Sequence, residues 1–319
     1  MAQSQARLIK VMANNVSGSA PAPATDGFLI YNDGSPIATE TETINLTELT
    51  GAYTKRKSLI GRQLYQWNGT TMLQASGTAG TAPSIDKMFK GCALGATIAA
   101  DTSVKYEPVS TSFATTNIYT DLDGLEYQLT DGFGTFVMSG SAGQGVECAF
   151  SYSGVYNVPV ATTSFGSFTA GDNNAETMKL VALEIGSWVT GSADKLVFKS
   201  FSFDRGLTIG ERTDANSSTG LIGLAVEDSN PTLQVVVEAK TQLNAQGVED
   251  LWADLTGSNT KQVTWTHGSG AGKLITFDFP QAQLTNIGVA DGDGGIRTWT
   301  LDYKIGHTGD DVEFSMLFA

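Results

Sequence analysis

A strand, turn and strand pattern that occurs twice constrains this chain more than any other feature. In the first copy, between Gly124 and Tyr152, a run at 125–130 passes Gly132 and Gly134 to Phe136-Val137-Met138, turns at 141–145 and closes over 146–152. In the second, between Gly272 and Ile305, a run at 273–279 passes Pro280 to Gln283-Leu284-Thr285, turns at 291–295 and closes over 296–305. A β-meander that recurs implies a duplicated unit. The helical signals agree with it. Ile85, Met88, Phe89 and Cys92 stand at i, i+3, i+4 and i+7, and so do Val248, Leu251, Trp252 and Leu255 about half a chain later. Ser84 is a plausible cap for the first helix.

At 319 residues the chain fits two domains better than one, because a single core stops growing near ~250 to 300 residues. The expected division is 1–157, with an N-terminal arm, and 158–319, with the boundary in the Thr, Ser, Gly and Phe-rich stretch 156–172. Thr, Ser and Val, with 36 Gly, favour strands and tight turns, and 41 % hydrophobic residues exclude a disordered chain. A formal charge of −14 argues against a surface that grips nucleic acid, which needs clustered Lys and Arg. Cys92 and Cys148 are too few for a disulfide framework and suit buried, reduced thiols. Neither an export signal nor an apolar run near the ~18 residues of a membrane span is visible.

Further elements follow from local pattern. Residues 6–12 suggest a first strand, and Asp33-Gly34 a turn. Asn68-Gly69, between 63–67 and 71–74, predicts a hairpin. The polar stretch 39–54 predicts an extended loop or hairpin that completes its packing on another subunit, or a solvated loop. Strands are expected at 104–109, 117–120, 179–184, 195–203, 233–238 and 263–266, and a polar loop at 205–218.

Catalytic signatures are missing. The run Gly268-Ser269-Gly270-Ala271-Gly272-Lys273 lacks the first Gly and the final Ser or Thr of a phosphate loop, and a strand follows it. Asp291-Gly292-Asp293-Gly294-Gly295 lacks the remaining ligands of a calcium loop and suits a turn, as does Asp121-Leu122-Asp123-Gly124. His267 and His307 stand near no Cys, and no Gly-x-Ser-x-Gly elbow exists. No catalytic residue, metal or cofactor is expected. The closing strands are more informative. Val146, Cys148, Phe150 and Tyr152 face one way, and Glu147, Ala149 and Ser151 the other. In the second copy Trp299, Leu301, Tyr303 and Ile305 oppose Thr298, Thr300, Asp302 and Lys304. Each strand has one core face and one small or polar face, for which plain solvent exposure is the simplest explanation.

Three stretches carry a resemblance: Asp86-Lys87-Met88-Phe89-Lys90-Gly91, the meander from Asp123-Gly124-Leu125 to Tyr152 with its Ser-Ala-Gly-Gln turn, and Phe277-Asp278-Phe279-Pro280 through Tyr303. Together they resemble the major tail tube proteins of long-tailed, non-contractile bacteriophages. The resemblance implies a mainly β chain of two tandem β-sandwich domains, each with one short flanking helix, whose inner strands form a shared barrel on assembly. It implies a structural subunit and not an enzyme: trimeric, pseudo-hexameric rings stacked into a virion tail tube, made in the bacterial cytoplasm. The partners implied are the tape measure, tail terminator and distal tail proteins, with DNA passing through the lumen unbound. Glu147, Ser151, Thr300 and Asp302 are the expected lumen-facing residues. The loops near 36–60 and 204–220, with the N-terminal arm, would bridge successive rings. A capsid decoration protein or a carbohydrate-binding adhesin module is the alternative, and it would share the Gly, Thr and Ser bias.

Overall fold

The computed structural model describes residues 10–30, 36–46, 57–122, 124–162, 165, 174–179, 181, 183–186, 197–239, 251–257, 259–292, 295–307 and 312–319. It is mainly β, with a large antiparallel sheet and two short helices. In chain order the elements are β1 (Lys10–Asn14), β2 (Gly27–Leu29), β3 (Ile37–Ile44), β4 (Leu59–Met72), α1 (Asp86–Gly91), β5 (Leu94–Ala99), β6 (Ser103–Pro108), β7 (Thr116–Leu122), β8 (Leu125–Ser141), β9 (Val146–Val155) and β10 (Val160–Ala161). They continue as β11 (Leu183–Ile185), β12 (Phe198–Asp204), β13 (Leu207–Thr213), β14 (Leu221–Ser229), β15 (Thr232–Glu238), α2 (Leu251–Gly257), β16 (Thr260–His267), β17 (Ile275–Asp291), β18 (Arg297–Ile305) and β19 (Ser315–Phe318).

Two stretches of chain pair in the same order. In the first, β3, β4, β9 and β8 lie side by side, while β8 also pairs with β7 and β7 with β1. In the second, β12, β15, β18 and β17 lie side by side, while β17 also pairs with β16 and β16 with β11. The long strands β8 and β17 can serve two sheets because each is bulged, between Thr130 and Phe133 and between Leu284 and Asn286. A bulge bends the strand and increases its twist. Asp131 takes up the irregular backbone at the first bend with φ 47°, and its N–H donates to Asn117 Oδ1 at 2.9 Å.

These two sets are joined directly by strand pairing. Strand β8 pairs with β12 from Val137↔Asp204 to Ser141↔Ser200, which makes one run of eight strands, β3-β4-β9-β8-β12-β15-β18-β17. The C-terminal strand β19 pairs on one side with β17 and on the other with β6. One apolar core runs under both sets. At its centre the Phe203 ring meets Phe136, Phe279 and Phe314 at 6.0, 5.0 and 4.8 Å, and Phe89 of α1 meets Phe136, Phe150 and Phe318 at 5.5, 5.7 and 6.2 Å. Each such ring pair contributes roughly 0.5–1.5 kcal/mol beyond its buried area. Where β12 leaves the seam, the buried Arg205 donates its N–H to Phe136 O at 3.0 Å, bonds Ser229 Oγ and lies 5.4 Å over the Phe314 ring. Burial lowers its pKa from the usual 12.5, and Glu313, 3.7 Å away, opposes that shift.

Other buried polar groups are matched in the same way. Asp86 of α1 accepts from Tyr106 Oη at 2.8 Å and from Lys90 Nζ at 2.7 Å, and Trp67 Nε1 donates to Thr120 Oγ1 at 3.1 Å. Cys92 and Cys148 are free and buried, as expected from their number, and burial pushes the Cys92 thiol up to about 12. Such a thiol holds little thiolate and acts as a small apolar side chain.

Several local expectations change. Asn68-Gly69 makes no hairpin: β4 runs straight through it and pairs with β9, Asn68↔Ser151 and Gly69↔Phe150. The glycine is needed because the Trp67 ring lies over it, where a Cβ would collide. The polar stretch after Arg205 is the hairpin β13-β14 and not a loop. For 39–54 the hairpin alternative holds in the described part, since β3 pairs with β4 from Ile37↔Trp67 to Ile44↔Leu59. The first helix buries its whole stripe and starts after Ile85 with no side-chain cap bond. In α2 Leu251 is buried but Trp252 is 45 % exposed, and Asp254 takes an inward place with Lys261 at 3.7 Å. Val248, residues 6–9, Asp33-Gly34 and Asp293-Gly294 lie outside the described residues. Strand pairing crosses the expected boundary at 157/158 twice, at β8-β12 and at β6-β19.

Removing the ring at the seam should be felt by both sets. Phe203→Ala is expected to cost about 3–5 kcal/mol, with the chain still unfolding in a single denaturant transition by fluorescence and circular dichroism alike. Two well-separated transitions would show that the sets are energetically independent.

Candidate functional site

The run of eight strands has one face on the core and one face away from it. On β9 burial alternates strictly: Val146, Cys148, Phe150 and Tyr152 are buried, while Glu147, Ala149 and Ser151 are exposed. On β18 Leu301 and Tyr303 are buried, with Thr300 and Asp302 half-buried on the opposite side. All four residues singled out from the sequence, Glu147, Ser151, Thr300 and Asp302, therefore point away from the core.

Register brings them together. Glu147 pairs with Ser139, Ser139 with Ser202, Ser202 with Gln234, Gln234 with Asp302, and Asp302 with Asn286. Glu147 and Asp302 thus stand on one transverse row of six strands with small polar residues between them. Thr300 lies on the neighbouring row with Ser141, Ser200, Val236 and Gly288. Ser151 pairs with Thr135, farther along β9.

Residues that sequence reasoning did not assign to this face are Ser139, Asp204, Gln234 and Asn286. The alternation of Phe201 and Phe203 with Ser200 and Ser202 was the available signal. Which strand lay beside them was not legible. The Asp302 carboxylate is fixed by amides on both sides, accepting from Gln234 Nε2 at 2.8 Å and Asn286 Nδ2 at 2.9 Å. Its charge is held by neutral donors. Elsewhere on the face Glu238 is matched by Lys199 at 2.5 Å.

Two adjoining open depressions of about 540 and 330 Å³ lie on this face and share Ser202 and Gln234; Asp204, Asp302 and Lys304 line the first and Glu147, Ser139 and Ser200 the second. Hydroxyls, amides and a few carboxylates make up most of their polar lining. Among the described residues no three His, Cys, Asp or Glu side chains come together to hold a metal ion. The glycine-rich run 268–273 forms the tight turn from β16 to β17, with Gly268, Gly270 and Gly272 at positive φ.

No protein-family model matches the sequence, and no curated protein matches it either.

His267 is buried beside this turn, and burial holds its pKa below the usual 6.5 although the carboxylate and the backbone of Glu176 both favour the protonated ring. The unfolded histidine takes up a proton near pH 6.5 and the folded one resists it, so the unfolded state binds more protons and stability falls as pH drops below that value. Urea unfolding at pH 5 and pH 7.5 should show this loss, and His267→Leu should reduce it; an unchanged pH dependence in the variant would assign the loss to other groups.

Proposed function

We propose that this chain is the structural subunit of a phage tail tube, stacking as rings to form the hollow conduit for DNA passage into the host. The observation that carries the reading is the β8-β12 seam, where the edge of one four-strand set meets the first strand of the next. The same step taken between chains would join the free edge of β17 beyond its bulge to β3 of a second copy. Among the described residues neither edge has a strand partner within the chain beyond β18 and β4 respectively.

Size decides how many copies close the ring. Eight strands enclose a space just wide enough for side chains, whereas larger barrels leave a channel. Three chains bring twenty-four strands. At about 4.8 Å per strand these give a circumference of about 115 Å and a diameter of at least about 37 Å, wide enough for a DNA duplex after side chains are allowed for. Each chain then supplies two tandem tail-tube units, approximately 1–157 and 158–319, and the ring is trimeric and pseudo-hexameric. Closure also removes two long exposed strand edges that would otherwise invite aggregation.

In that ring the polar face turns to the bore. Glu147, Ser151, Thr300 and Asp302, with the Ser and Gln side chains between them, form a wall of small polar and anionic groups. Phosphate is repelled by such a wall and finds no cluster of cations to hold it. DNA would slide through without specific binding. The tube would be assembled in the bacterial cytoplasm and kept in the virion, its length and ends set by tape measure, terminator and distal tail proteins. Catalysis has no part in this reading, and no cofactor is called for.

Electron microscopy of the concentrated protein tests it: rings or long hollow tubes of three chains per ring are expected. Monodisperse monomers under every condition would contradict it. Val289, 56 % exposed on the free edge of β17, should tolerate Asp in the monomer, and Val289→Asp should block ring formation while leaving the circular dichroism spectrum and melting temperature unchanged.

A further inference from the structure

The β13-β14 hairpin shows how one unit grips the next. It extends β12 and β15 past the seam and folds back over the bend of β8, with Leu207 N–H donating to Thr135 Oγ1 at 3.3 Å. Leu221 and Leu224 of the hairpin bury against Leu64 and against Phe133 at the β8 bulge, with Val155, Ile209 and Val226 packed around them. Arg62 of β4 forms an ion pair with Glu211, and Gln63 N–H donates to Thr219 O at 3.3 Å. A hairpin that continues the first two strands of one set therefore covers the bulged bend of the set before it.

Strands β3 and β4 are the first two strands of the other set, and they too continue past the shared sheet. Beyond Thr41 the described residues of β3 and β4 pair with each other alone, through Thr43↔Ile60 and Ile44↔Leu59. Its apolar side chains there are uncovered: Ile44 is 50 %, Leu59 52 % and Ile60 70 % exposed. Among the described residues no strand precedes β3 in the run of eight, and none of their bulged bends lies where β8 lies for β13-β14.

We propose that the outer end of the β3-β4 hairpin docks laterally on the bulged bend of β17 in a second copy, at Leu284–Asn286, repeating between chains the contact that β13-β14 makes on β8 within the chain. Just past that bend Ile287 is half-buried and Val289 exposed, an apolar surface for Ile44, Leu59 and Ile60. This contact rests on the ring proposed above but adds to it. It makes the hairpin a clasp between neighbours in one ring, in place of the bridge between successive rings that the resemblance implied.

A photo-cross-linking residue at position 60, in tubes or rings of otherwise unaltered protein, tests the contact. Irradiation should join position 60 to the tryptic peptide 274–297 of another copy. Cross-links to any other peptide would overturn the proposal, as would rings of Leu59→Asp/Ile60→Asp that form normally but fail to stack, since that outcome assigns the hairpin to the contact between rings. The double variant should keep the monomer melting temperature, because both side chains are exposed, and should raise the concentration needed for ring formation at least about tenfold. Unaltered protein that never forms rings would defeat the tube reading itself; unaltered protein that forms tubes while the double variant forms them equally well would defeat the clasp alone.

Discussion

Everything else in the structure hangs on the junction of β8 and β12. Two sets of four strands, each able to bury one face, share an edge there, and the aromatic contact of Phe136 with Phe203 beneath it merges their cores. Arg205 marks where that junction ends, turning the chain out of the sheet while its buried guanidinium stays matched by Ser229, Glu313 and the Phe314 ring. A buried charge without such partners would be strongly destabilising. Strand β19 adds a second link between distant parts of the chain, pairing with β17 on one side and with β6 on the other.

Much of this was legible in the chain where one face of an element is buried and the other is not. The Ile85, Met88, Phe89 and Cys92 stripe is wholly buried, and the alternation from Val146 to Tyr152 matches burial residue by residue. Signals set by a distant partner are not legible locally. Asn68-Gly69 has the composition of a turn, but its glycine answers to the Trp67 ring above it. Leu221 and Leu224 are too sparse among polar residues to announce a hairpin, and it forms as they pack on Leu64 and Phe133. Trp252 fits the helical stripe yet stays exposed, because the inward place on α2 goes to Asp254 with Lys261. For the candidate site, alternation alone put Glu147, Ser151, Thr300 and Asp302 on the outward face. Their common rows were invisible, since no local pattern records that β8 meets β12.

The proposed function asks little of any single side chain on the polar face. Its chemistry is collective: serines, threonines and amides at close register, two carboxylates on one row, and few cations. A wall built to let a polyanion pass must avoid strong contacts more than make them, which agrees with Asp302 being held by neutral amides and not by an arginine. The acidic balance of the whole chain has the same sense.

The most direct test of the account is a cryo-electron microscopy map of the assembled protein in cross-section. The account predicts a closed barrel of three chains in which β17 of one copy pairs with β3 of the next and Glu147, Ser151, Thr300 and Asp302 face the bore. An assembly that turns these four residues to its outer surface, or that joins copies without pairing those two edges, would contradict it.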